Sequence, residues 1–271
     1  MMKTSCCNLL LSSIIFICAI DLVHSSRFQE NFVVNWAASN VRFIGSGNEL
    51  QLVLDQNTGS GFASKNAYLF GRIDMQIKLV PGDSAGTVTA YYLSSETAHH
   101  DELDFEFLGN VSGQPYILQT NVFSSGIGGR EQRIYLWFDP SADFHTYTVV
   151  WTEQRILFLV DGTLIRVFSN NEAVGVPYLS KQPMNVFSSI WNGDQWATEG
   201  GRIKIDWKHA PFIASYRNFR VVALRQLGIS DGSLDSKLEK LAWVKKNYMV
   251  YDYCTDHLRY PTPPPDCTRI V

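Results

Sequence analysis

The sequence predicts an all-β protein, an antiparallel sandwich of two sheets, with a short helical extension at its C-terminal end. Three observations predict it. Strand-length segments with alternating or continuous apolar residues recur from residue 28 to about residue 219. Turn signals fall between them, at 57–61, 81–86, 126–129 and 192–193. Aromatic residues reach 13%, with 7 Trp, 12 Tyr and 16 Phe, which suits a large β core or a sugar-binding surface.

The chain has 271 residues, room for one large or two ordinary domains. With 45% hydrophobic and 18% charged residues it has the composition of a folded chain rather than a disordered one. A net charge of -3 gives no broad basic surface, so no nucleic-acid partner is expected. Residues 1–25 read as a secretory signal: Lys3 supplies the positive start, an apolar run of about a dozen residues follows, and Val23 and Ser25 suit cleavage after Ser25. The run is short of the ~20 residues a spanning helix needs. The mature chain is therefore expected to be exported and soluble, with no membrane association after cleavage. Cys6, Cys7 and Cys18 leave with the signal. Cys254 and Cys267 remain, and in an exported protein they most simply form one disulfide, worth roughly 3 kcal/mol through loop closure.

Along the chain, residues 49–54 and 72–79 read as half-buried strands. Ile73, Met75, Ile77 and Leu79 share one face, and Arg72, Asp74, Gln76 and Lys78 the other. Residues 155–168 read as a hairpin turning at Asp161-Gly162. After Phe219 the pattern changes. Leu234, Leu238, Leu241 and Val244 recur at helical spacing, with Ser233 placed as a cap. An aromatic strip and the proline-rich RYPTPPPDC tail follow, which the disulfide would fold back. The domain reading is thus a signal over 1–25, a β domain over 26–219 and an extension over 220–271 packed on the sandwich.

The segment HDELDFEFLG, residues 100–109, carries the chemistry. On a strand, Glu102, Asp104 and Glu106 share one face while Leu103, Phe105 and Phe107 share the other. Asp101 falls with the apolar set at the strand's start. Three like charges in a row are costly. A solvated acidic edge is the plain reading; glycoside cleavage by two carboxyls is the chemical one. The α-carbons of Glu102 and Glu106 are ~13 Å apart on a flat strand. The two carboxyls converge only if the strand lines a concave groove. Asp104 would then hold a neighbouring glutamate and share the cluster's protons. No metal or other cofactor is called for: His99 and His100, adjacent and facing opposite ways on a strand, would not chelate one ion.

HDELDFEFLGN followed by VSGQPY resembles the plant xyloglucan endotransglucosylase/hydrolases of glycoside hydrolase family sixteen. The likeness extends through GSGFASKNAYLFGRIDMQIKLVPGDSAGTVTAYYLSS, REQRIYLWFDPSADFHTYTVVW, QPMNVFSSIWNGDQWATEGG, DWKHAPFIASYRNF and NYMVYDYCTDHLRYP. The resemblance implies a curved β-jelly-roll sandwich, concanavalin-like, with a cleft across its concave face. It implies Glu102 as nucleophile, Asp104 as its orienting helper and Glu106 as acid/base. It implies sugar contacts from Glu106, Gln119, Thr120, Asn121, Gly129, Arg130, Glu131, Trp196, Ala197, Gly201 and Arg259, with Trp191 the more structural of the two tryptophans in its segment. It implies a glycan on Asn110 of the Asn110-Val111-Ser112 sequon. The region after Phe219 lacks the further cysteine pair of many members, so one disulfide is expected, Cys254 to Cys267. Donor and acceptor would both be xyloglucan, the protein a monomer, and its place the cell wall or apoplast. The compact 191–201 segment favours transfer to a second chain over hydrolysis. A xyloglucan endohydrolase is the alternative, and a silent glucan-binding lectin a further one.

Overall fold

The computed structural model describes residues 27–223 and 234–267. The expected export signal over 1–25 with Cys6, Cys7 and Cys18, and the expected cap at Ser233, lie outside the described residues. Two antiparallel sheets face each other. The first runs β1 (Phe32–Trp36), β4 (Ser60–Tyr68), β13 (Met184–Asn192), β6 (Thr87–Ser94), β7 (Glu102–Leu108), β8 (Ile117–Phe123), β9 (Gln132–Tyr135) and β15 (Met249–Asp252). The second runs β12 (Thr163–Ser169), β11 (Arg155–Val160), β10 (His145–Trp151), β5 (Gly71–Lys78), β14 (Phe212–Val222), β3 (Glu49–Leu54) and β2 (Val41–Ile44).

The core fills the space between them. From β5 it takes Ile73, Met75 and Ile77, and from β7 Leu103, Phe105 and Phe107, all shielded from solvent. Phe105 packs at 5.3 Å on Phe158 of β11 and at 5.8 Å on Tyr91 of β6, so the sheets are locked beneath the acid row. The 155–168 segment forms the expected hairpin. Asp161 and Gly162 both take positive φ, at 47° and 73°, the combination that matches strand twist across a two-residue turn. β14 continues to Val222, beyond the point at which the sequence changes character.

Helix α1 (Phe28–Asn31) precedes β1, and helix α2 (Leu234–Tyr248) lies against β12 and β9. Its Leu241 joins Val150, Leu157, Leu159 and Leu164 in a small cluster outside the main core. The RILFLV strand is apolar on both faces because both are covered, one by the core and one by this helix. After α2 the chain adds β15 to the edge of the first sheet, pairing with β9. Cys254 and Cys267 are disulfide-bonded, 13 positions apart. The tail is also tied by charge. Asp266, its side chain 3% exposed, accepts from Arg130 Nε at 3.1 Å and from the Tyr253 hydroxyl at 2.6 Å.

Candidate active site

β7 is paired along its whole length, to β6 on one side and β8 on the other. Its inner face is anchored by Leu103, Phe105 and Phe107, so alternation presents Glu102, Asp104 and Glu106 together on the outer face. That face is hollowed. Ala90 and Tyr92 of β6, the three acids of β7, Gln119 and Asn121 of β8, Arg133 of β9 with Glu131 before it, and Ser189 and Trp191 of β13 line one cavity of about 480 Å³. Residues from five neighbouring strands thus line one trough, with the acid row among them.

The acids are unequal. Asp104 is buried, and loss of solvent pushes its carboxyl far above the usual range, assisted by the charges of Glu102 and Glu106 and by a hydrogen bond with Glu102; Arg166 opposes the shift. Burial also raises Glu106, against a hydrogen bond from Gln119 that favours its charged form. Gln119 Nε2 donates to Glu106 Oε2 at 2.5 Å, and Gln119 Oε1 accepts from Arg133 Nε at 2.6 Å. Tyr92, opposite Asp104 across the ladder, has its phenol pushed up to about 12 by burial and by Glu102 and Asp104. Its ring stacks on Phe187 of β13 at 5.1 Å, an apolar plate beside the acids.

Of the other residues singled out in the sequence, Gln119, Asn121, Glu131 and Trp196 line the cavity. Thr120 does not. It points to the opposite face, where Arg166 donates to its hydroxyl at 3.0 Å and its carbonyl at 2.9 Å. The Arg130 guanidinium is spent on Asp266, Val122 O and Ile127 O, while its backbone N–H donates to Asn121 Oδ1. Gly129 offers its carbonyl to the Tyr260 hydroxyl. Ala197 is buried with Val88 and Leu108. Gly201, at φ 86°, sits where a side chain would collide with the Gln195 carbonyl. These positions shape the wall rather than face the trough. Arg259 reaches the rim through Glu131, at 2.7 Å. Trp191, read as structural, lines the trough beside Trp196, their rings 6.0 Å apart. His99 and His100 lie in the irregular segment before β7 rather than on a strand; the His100 ring packs on Phe123 and its Nε2 is 3.9 Å from Glu102 Oε2. Asn110 follows β7, part-exposed, and its amide donates to Pro115 O at 3.1 Å.

The comparisons with known proteins agree with this geometry. The model of glycosyl hydrolases family 16 matches residues 28–209, and that of the xyloglucan endo-transglycosylase C-terminus matches residues 232–267. The chain belongs to glycosyl hydrolase family 16. It is 53% identical to xyloglucan endotransglucosylase protein 34 of Populus tremula x Populus tremuloides, over 89% of this chain and 88% of that one. It is 49% identical to xyloglucan endotransglucosylase/hydrolase protein 15 of Arabidopsis thaliana, over 96% of each. Among solved structures it resembles the Crh5 transglycosylase, with TM-score 0.60 and 25% identity over 74% of this chain and 81% of that chain. A prokaryotic beta-1,3-1,4-glucanase from a mouse hindgut metagenome shares the fold, with TM-score 0.57 at 24% identity over 72% of this chain and 88% of that one. The two-sheet architecture is thus the family's.

Tyr92 and Arg133 are trough residues that reading the sequence missed, and Phe187 backs the Tyr92 ring. For Tyr92 the signal was present: it shares its alternation phase with Ala90 in TAYYLSS. For Arg133 none was, since only the register to Gln119 places it.

Proposed function

We propose that this family 16 member is a retaining xyloglucan endotransglucosylase. The Glu102 carboxylate attacks the anomeric carbon of a backbone glucose. Glu106 gives its proton to the departing glycosidic oxygen, and a covalent glycosyl-Glu102 ester remains. The leaving chain end departs and a second xyloglucan chain takes its place. Glu106, now ionised, removes the proton from the incoming hydroxyl, whose oxygen displaces Glu102 and rejoins the backbone. Asp104 keeps its proton and donates to Glu102, so the nucleophile is held in place. The observation that carries this reading is the buried Asp104 between two glutamates at the floor of a trough. A row kept only to blunt a sheet edge would lie at an edge, and β7 is central.

Transfer wins over hydrolysis when acceptor sugar is held well enough to outcompete water. Trp191 and Trp196 supply apolar faces for that at one end of the trough, within a compact 191–201 segment. On this reading residues 1–25 are removed on export, 26–219 carry the site, and 220–271 form an extension. The mature protein acts as a monomer in the cell wall, with a glycan on Asn110. Incubation with polymeric xyloglucan and a labelled xyloglucan oligosaccharide tests it. Label entering the polymer supports the transferase. New reducing ends without label transfer indicate the hydrolase, and polymer retention with neither product indicates a lectin.

A further inference from the structure

Four residues stand side by side across four strands: Glu106 opposite Gln119, Gln119 opposite Arg133, and Arg133 opposite Tyr251. Each touches the next. Gln119 bridges Glu106 and Arg133, and the Arg133 guanidinium lies over the Tyr251 ring at 5.3 Å. The Tyr251 hydroxyl donates in turn to Asp256 Oδ2 at 2.9 Å. A guanidinium only donates. Its bond to Oε1 therefore fixes which way the Gln119 amide faces, and Nε2–H must point at Glu106. The carbonyl-type oxygen of a protonated carboxyl is the better acceptor, so the Gln119 N–H on Oε2 favours the proton on Oε1. Without Arg133 the amide could turn over and present its oxygen to Glu106 instead.

We infer that Arg133, seated on Tyr251 of the C-terminal extension, is a positioning residue that locks the Gln119 amide and thereby assigns the Glu106 proton to Oε1. The extension is then part of the acid's setting and not only a cover for the sheet edge. This rests on Glu106 being the acid/base. That assignment fails separately, if Glu106→Ala transfers glucan at the wild-type rate.

The groups facing Glu106 are Glu102 and Asp104 on its own strand, Tyr92 on β6, Gln119 on β8, and Glu131 and Arg133 from β9; β13 offers Ser189 and Trp191. Arg133 is the cation among them that favours ionised Glu106. The test uses the secreted full chain, polymeric xyloglucan donor and labelled oligosaccharide acceptor. Arg133→Met should lower kcat roughly tenfold or more, with acceptor KM within about twofold of wild type. The alkaline limb of donor kcat/KM should move to higher pH, because Glu106 then holds its proton longer. Arg133→Lys should recover part of the rate, and Tyr251→Leu should lose less than Arg133→Met in the same direction, with Tyr251→Phe recovering it. A raised acceptor KM with kcat and the alkaline limb unchanged would make Arg133 a sugar contact and overturn the inference. Unchanged kinetics would do the same. If Arg133→Met fails to fold, Tyr251→Leu, which removes the ring under the Arg133 guanidinium and leaves Arg133 in place, decides it: its alkaline limb moves to higher pH if the inference holds and stays at the wild-type value if it does not.

Discussion

Asp104 is hydrogen-bonded to Glu102, two positions before it on the same strand face, and is itself 7% exposed. Burial and two neighbouring carboxylates make this the acid that holds a proton. Its folded value lies above its unfolded one of about 3.9, so the native state binds the extra proton. The stability this gives is complete below the unfolded value and is lost as pH rises through the raised folded one. Asp104→Asn has no proton to lose there. The melting temperature of the variant, relative to wild type, should therefore rise as pH climbs from about 4 through the raised folded value. A difference that stays flat or falls would contradict a protonated Asp104. Glu106 titrates in both proteins and largely cancels.

The same pair predicts an activity split. Asp104→Asn keeps a donor for Glu102, whereas Asp104→Ala leaves the nucleophile free to swing. Transfer should fall on the order of 10²-fold in Asp104→Ala and clearly less in Asp104→Asn, measured as label entering polymer.

Asp266 and Arg130, 136 positions apart in sequence, pair at 3.1 Å with side chains 3% and 12% exposed. Arg166 lies nearby, buried and also without solvent. Removing the acid strands buried positive charge. Urea unfolding of Asp266→Ala should show a loss of about 3–5 kcal/mol. Tyr253→Phe, which removes one hydrogen bond to Asp266, should cost about 1 kcal/mol.

Trp191→Ala and Trp196→Ala should raise the acceptor KM by roughly three- to tenfold each, the worth of one aromatic contact, with a smaller effect on kcat. A change confined to kcat would place both rings away from the acceptor.

Much of this was legible in one dimension. Alternation placed Ile73, Met75 and Ile77 inward, and it separated the three acids from Leu103, Phe105 and Phe107. The disulfide was legible because Cys254 and Cys267 are the two cysteines outside the expected signal segment. What depends on pairing distant strands was not legible. Tyr92 faces Asp104 only because β6 and β7 are neighbours, and Arg133 meets Gln119 only through the β8–β9 register. Thr120 is a different case. The same period of two that grouped the acids puts it on the face opposite Gln119 and Asn121, but a motif read as one block hid this. Asp266 lies in the proline-rich tail, where reading the sequence singled out Arg259 and Cys267. Its partner is 136 positions away, and no local pattern records that.

The most direct test of the central claim is the rate of label transfer by Glu102→Ala, with a melting curve to show that it folds. The account predicts a loss on the order of 10³-fold or more, since the variant lacks the carboxylate that forms the ester. Transfer within tenfold of wild type by the folded variant would contradict it.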